Sequence, residues 1–315
     1  MENFIYSINV TFPIFLVMVI GYFLKQIGML NDNFVTVANR FNFKVTLPFM
    51  LFRDIAGVDI RAVFDLKYVL FCAFVSTACF WLIWGGVKLF LKDQTMRGAF
   101  VQASFRSSAA VMGLAFIQNI YGNAGMAPVM IIGSVPLYNV MAVIVLSFFK
   151  PGQNGIDMAV LKKTFKGIVT NPIILGIVAG LLWSAIGLPF AGIPAKAVTS
   201  IGNMATPMGL MAMGATFDLK KASAKAKPAF AATFIKLVGF VAVFLPIAVA
   251  FGFRDSELIA ILVMLGSATT VSCFVMARNM GHEGVISSTT IMLTTLLSSF
   301  TLTLWLYIIK SLGLV

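Results

Sequence analysis

The sequence predicts an all-α membrane protein of ten transmembrane helices, arranged as two inverted five-helix repeats in which helices 4 and 9 are broken and cross. Three observations predict it. First, 60% of the 315 residues are apolar and 11% are charged, with a mean hydropathy of +0.98. A soluble domain carries about 25% charged residues. Second, apolar runs long enough to span a bilayer recur along the whole chain, and no polar stretch between them is long enough for a soluble domain. Third, the chain matches itself at a constant offset. The short alternating segments of a membrane β-barrel are absent, so the spans are helices.

Hydropathy places the spans near 4–24, 36–55, 67–91, 97–120, 125–149, 167–187, 198–217, 229–251, 257–279 and 286–309. The first is preceded only by Glu2 and its apolar run is too long for a cleaved signal peptide, so it is expected to stay. Loops after the odd-numbered spans hold 13 Lys and Arg, from Lys25 to Arg278, against six on the other side. The richer side is expected to be cytoplasmic, which puts both termini on the outer, periplasmic side of the cell inner membrane. The net charge of +12 then follows from topology and attraction to anionic lipid, and calls for no nucleic-acid partner.

The offset is 159 residues. Val10–Gly28, "VTFPIFLVMVIGYFLKQIG", matches Val169–Gly187, "VTNPIILGIVAGLLWSAIG", at nine of nineteen positions, Pro13/Pro172 and Gly21/Gly180 among them. In the same register Pro48 meets Pro207, Leu51 meets Leu210, Asp59 meets Asp218, and Ser108-Ala109 meets Ser267-Ala268. The chain thus divides into 1–150, a linker 151–166, and 167–315. Five spans per copy is odd, so the second copy enters the membrane from the opposite side. Inverted repeats are a mark of secondary transporters.

The repeat also points to a site. Span 4 is interrupted by "RSSAA" (Arg106–Ala110) and span 9 by "GSATT" (Gly266–Thr270). Small polar residues are weak helix formers in lipid, and their hydroxyls satisfy freed backbone groups. Broken helices expose half-helix ends, and N-terminal ends attract anions. Arg106, Ser107, Ser108 and Ala109 with Ser267, Ala268, Thr269 and Thr270 are therefore the candidate anion site, and Asn139 and Tyr138 on span 5 are candidate lining residues. The alternative is close helix packing through small residues.

Four cations lie inside expected spans with no acidic residue at comparable depth: Arg40, Lys44, Arg106 and Lys236. Each costs about 3 kcal/mol on insertion scales. Arg40 and Lys44 share a helix face at i,i+4; they either snorkel or support the site, as does Lys236. His282 falls in the loop between spans 9 and 10 and reads as a surface residue. Pro48 and Pro207 are expected to kink spans 2 and 7. Cys72, Cys79 and Cys273 lie within spans without metal or disulfide spacing. P-loop and dinucleotide fingerprints are absent, as is an intramembrane nucleophile with a base, so neither ATP use nor an enzyme is expected.

Several segments resemble the auxin efflux carrier family in its short bacterial, malonate-carrier-like form. These are "NPIILGIVAGLLWSAIGLP" from Asn171, "IGNMATPMGLMAMGATFDL" from Ile201, Val111–Ala115 with Tyr121-Gly122, and Phe274–Ala277. The resemblance covers nearly the whole chain. It implies the sodium/proton-antiporter-like elevator fold: spans 1, 2, 6 and 7 as a scaffold that forms a homodimer surface, spans 3, 4, 5, 8, 9 and 10 as a moving transport domain. Plant members usually carry proline and asparagine at the first crossover; Ser107 and Ser108 stand there in this chain, and Ala268 stands near the second expected proline. With Arg106 present, the passenger expected is a small mono- or dicarboxylate. The expected activity is secondary transport of such organic anions with no cofactor beyond a coupling sodium ion or proton. The alternatives are a sodium-coupled symporter of a larger organic acid, or a solute sensor or channel.

Overall fold

The structure, a computed structural model, describes residues 2–57, 65–109, 114–122, 125–150 and 158–315. The Asp59 match, Arg61, residues 111–113 of the family segment and the start of the 151–166 linker lie outside the described residues. Every regular element among the described residues is helical. Among the described residues four helices are long and apolar enough to cross a membrane unaided: Leu66–Leu89, Ala127–Phe148, Ala226–Ala250 and Val285–Ser311. Phe12–Gln26 and Pro172–Ile186 are shorter apolar helices.

In chain order the helices are α1 (Glu2–Gln26), α2 (Asp32–Phe41), α3 (Leu47–Ala56), α4 (Leu66–Phe90), α5 (Gln94–Phe105) and α6 (Leu114–Tyr121). After these come α7 (Ala127–Phe148), α8 (Met158–Val169), α9 (Pro172–Ile186), α10 (Gly192–Asn203), α11 (Ala205–Ala215) and α12 (Leu219–Ala224). The last are α13 (Ala226–Phe234), α14 (Phe240–Ala250), α15 (Asp255–Gly266), α16 (Ser272–Asn279) and α17 (Val285–Ser311).

The expected kinks have local causes. Pro48 cannot donate to the carbonyl one turn back, and the chain takes a π turn, Asn42–Thr46, between α2 and α3. The Thr46 hydroxyl donates to Asn42 Oδ1 at 2.5 Å. Pro207 likewise leaves Asn203 O without its usual donor, and the helix is interrupted at Met204 between α10 and α11. Asn42 Nδ2 bridges the two kinks by donating to Ala205 O at 2.9 Å. A second π turn, Ile235–Gly239, joins α13 to α14, and Trp305 Nε1 donates to its Leu237 carbonyl at 3.1 Å.

Glycine lets backbones touch where the repeat register predicts equivalent positions. A Cβ on Gly21 of α1 would stand 2.4 Å from Met211 O of α11; one on Gly180 of α9 would stand 3.0 Å from Phe52 O of α3. Both members of each pair differ by 159 residues, so α1 on α11 and α9 on α3 make the same contact twice. Gly214 is tighter still, with a Cβ position 2.0 Å from Met18 O. Backbone cannot yield as a side chain tip can, so Gly214→Ala is expected to cost about 1–3 kcal/mol by overpacking. The check is a drop of several degrees in the melting temperature of the purified protein; an unchanged value would mean that α1 and α11 pack less closely.

The loop histidine departs from expectation. His282 is buried, because Gly98 lets its ring approach α5 and Leu146 O lies 2.9 Å from Nε2. Polarity and loop position suggested exposure; the absence of a side chain at Gly98 decides otherwise. Burial pushes the imidazole pKa below its usual 6.5, and the Lys150 charge adds to this. A base whose folded pKa is depressed takes up its proton first in the unfolded state. Its contribution is therefore full above pH 6.5 and is lost as pH falls below it. Melting temperature is expected to decline below that pH in the wild type and to decline less in His282→Gln.

Candidate functional site

Two helices stop inside the protein without proline. α5 ends at Phe105, and Arg106 turns extended (φ −80°, ψ 137°); α15 ends at Gly266, and Ser267 does the same (φ −76°, ψ 163°). The two interruptions touch. Ser108 N–H donates to Ala268 O at 2.8 Å, Thr269 Oγ1 to Ala103 O at 2.8 Å, and Gln102 Nε2 to Cys273 O at 2.8 Å. Thr269 N–H is satisfied by Thr294 Oγ1 of α17 at 3.0 Å. Backbone groups freed by the breaks are thus paired across the crossing, as low-dielectric surroundings require.

Lys236 supplies the cation for the carbonyl end of α15. The second π turn carries this side chain, fully buried, to Met264 O at 3.4 Å, to Leu265 O and to the Ser107 hydroxyl. Ser107 Oγ in turn donates to Met264 O, which also accepts from Tyr138 OH at 3.3 Å. A cation over unsatisfied C-terminal carbonyls opposes the helix dipole where it is strongest. An ammonium that donates to three oxygens occupies the kind of position a bound monovalent cation would take.

Arg106 faces the other way, into a cleft. It is buried, and among the described residues no acidic side chain lines that cleft. Its Nη2 donates to Asn139 Oδ1 at 2.9 Å and to Ser272 Oγ at 2.8 Å, and its Nη1 reaches Met276 Sδ at 3.0 Å. Asn139 Nδ2 donates to Val135 O at 2.9 Å, which turns the amide oxygen toward the guanidinium. Among the described residues the guanidinium Nε has no partner. A buried cation held only by neutral acceptors, with a donor to spare, is poorly compensated and favours an anion beside it. The fork geometry suits a carboxylate. The cleft has a free volume of about 30 Å3, room for one or two waters, so a solute requires it to widen.

The structure brings Arg106, Ser107, Ser108, Ala109, Asn139 and Thr270 to this cleft, with Tyr138 beside them. Ser267, Ala268 and Thr269 are buried in the crossing and hold it together without lining the cleft. Lys236 supports from behind, through Ser107. Arg40 and Lys44 do not reach Arg106: both are exposed, on α2 and the first π turn, and face a separate cleft with Arg278. Ser272 and Met276 also join the site. Ser272 ends the polar run "SATTVS", and Met276 lies one turn further along the same face, so the signal was present for the first and purely geometric for the second.

A family profile described as "Membrane transport protein" matches residues 6–306, almost the full length. No curated protein gives a significant match. A chain of apolar helices that meet at two broken segments, matched by that profile from end to end, belongs to the membrane transport protein family, the auxin efflux carrier group its sequence resembles.

Proposed function

We propose that this protein is a secondary active transporter of small organic anions, malonate-like mono- or dicarboxylates, working by alternating access. The observation that carries the reading is Arg106: a buried guanidinium with no carboxylate partner among the described residues, aimed into a cleft between two broken helices. An anion completes it. The recurrence of the α1–α11 contact as α9–α3 supports two inverted five-helix halves, residues 1–150 and 167–315 joined by the 151–166 linker. α1, α3, α9 and α11 then form the scaffold, available for a homodimer, and the elements that carry Arg106 and Lys236 form the transport domain that slides past it. Lysine-rich loops on the side of Lys25 and Lys220 support a cytoplasmic position for that side in a plasma-membrane protein. Because Lys236 already holds the carbonyl end of α15, a proton gradient or anion exchange drives transport more naturally than sodium does.

The test is thermal stabilisation of the purified protein. Ligand that binds only the folded state raises the melting temperature by mass action, about 2.7 kcal/mol at a hundred times Kd. Malonate is expected to raise it and neutral malonamide to leave it unchanged, with equal effect in sodium and choline buffers. Equal shifts by both compounds, or by neither acids nor amides across a carboxylate series, would remove the anion reading. Counterflow of labelled malonate in proteoliposomes separates a carrier from a channel.

A further inference from the structure

Three cations left out of the Arg106 site share a second cleft. Arg40 of α2, Lys44 of the first π turn and Arg278 of α16 line a space of about 330 Å3 free volume, with Asn39 and Asn279 and, among the described residues, no acidic side chain. That volume is within the range of small-molecule clefts, roughly 300–1,000 Å3, whereas the Arg106 cleft is nearly closed at about 30 Å3. Among the described residues neither Arg40 nor Lys44 forms an ion pair. Buried Asn39 Oδ1 has no partner. Asn279 Nδ2 donates to Asn39 O at 3.1 Å and to Val275 O at 2.8 Å, which ties α16 to α2 at the floor of the cleft.

The two clefts lie on one seam. α16 presents Ser272 to Arg106 at its N-terminal end and Arg278 to the second cleft at its C-terminal end, six residues or about 9 Å further on. The opposite wall is a single run of chain, with Lys44 at the second cleft and Met50 and Leu51 at the first. At the second cleft Arg278 Nη1 donates to Glu283 O at 3.2 Å, and the Glu283 carboxylate pairs with Lys225 at 2.5 Å. Three like charges around a polar cleft focus their field there and concentrate counter-ions, raising association rates by about 10–1,000-fold.

We propose that Arg40, Lys44 and Arg278 form a capture site for a small dianion, a dicarboxylate or a phosphate, at the mouth of the seam that leads to Arg106. The proposal rests on the transport reading for its purpose, and its binding arm stands apart from transport. The passenger is drawn out of bulk water by the three cations and moves inward as the seam between α2–α3 and α16 opens. An anionic lipid headgroup carries the same oxyanion chemistry, and the test separates the two sources.

Labelled malonate uptake is measured for wild type and Arg40→Gln/Lys44→Gln in vesicles of phosphatidylcholine alone and of phosphatidylcholine with phosphatidylglycerol. Both positions are exposed, so the variant is expected to fold, with the single change Lys44→Gln as a milder version giving about threefold. The expected result is a KM raised about tenfold at low salt, a kcat changed less than twofold, the same in both lipids and smaller at high salt. An unchanged KM overturns the proposal, as does a shift confined to the phosphatidylglycerol vesicles, which would assign the cleft to a headgroup. In the binding arm, purified Arg106→Gln retains weak, salt-sensitive malonate binding that Arg40→Gln/Lys44→Gln in the same background abolishes. Absence of that residual binding overturns the capture site, whereas wild-type uptake by Arg106→Gln sinks the transport role of Arg106 alone.

Discussion

Arg106→Gln is expected to abolish anion uptake while the protein still inserts and purifies. Glutamine keeps a polar side chain that Ser272 and Asn139 can bond, so the crossing itself is preserved. What is lost is the charge opposite the passenger. Removing one member of a desolvated, hydrogen-bonded ion pair costs about 2–5 kcal/mol, or roughly 30- to several-thousand-fold at about 1.4 kcal/mol per decade. Arg106→Lys keeps the charge and loses the planar fork, and the expected loss is about ten- to a hundredfold. Proteoliposome uptake at substrate concentrations far below KM reads both. Uptake at the wild-type rate in Arg106→Gln would show that the guanidinium serves only to hold helices together.

Lys236→Met is expected to give the largest loss of stability. Methionine matches the length of the side chain without its donors. Leu265 O and Ser107 Oγ lose their charged donor in a buried site, while Met264 O keeps Ser107 Oγ and Tyr138 OH. An unmet buried acceptor costs about 1–3 kcal/mol, so the sum over these two is about 2–6 kcal/mol. The expected readout is a melting temperature lowered on the order of 10 °C, with malonate stabilisation lost in parallel because Ser107 also lines the Arg106 cleft. A stable, fully active Lys236→Met protein would mean that the broken end of α15 needs no cation.

The two effects differ in kind. Arg106 points into a small cleft and is paired there with neutral groups; Lys236 points into backbone and fills its acceptors. Both side chains are cations inside expected spans; the polar run beside Arg106 marked it as the site candidate and Lys236 as support, but nothing along the chain said which acceptors Lys236 would meet. The distinction arises from the π turn at Ile235–Gly239, which has no proline to announce it and which rotates Lys236 onto the α15 terminus. Arg40 and Lys44 show the same limit. Their i,i+4 spacing was legible, and so was their shared face, but that face meets Arg278, which lies more than two hundred residues away along the chain.

What the amino-acid sequence by itself determined is the part written in local chemistry. Apolar runs dictate helices in lipid, because no other element except a closed barrel satisfies its own backbone there. Prolines at 48 and 207 dictate interruptions, and the polar runs at 106–110 and 266–270 mark the broken segments, since each acts on backbone bonds within one turn of itself. The tertiary structure alone decided which polar groups meet. Ser272 and Met276 on Arg106, Lys236 on the carbonyls of α15, and His282 beneath Gly98 all depend on how separate helices pack. The physical reason is range: a helix break is set by bonds four residues long, whereas the partner of a buried polar group is set by close packing among segments that lie from 29 to 184 residues apart along the chain.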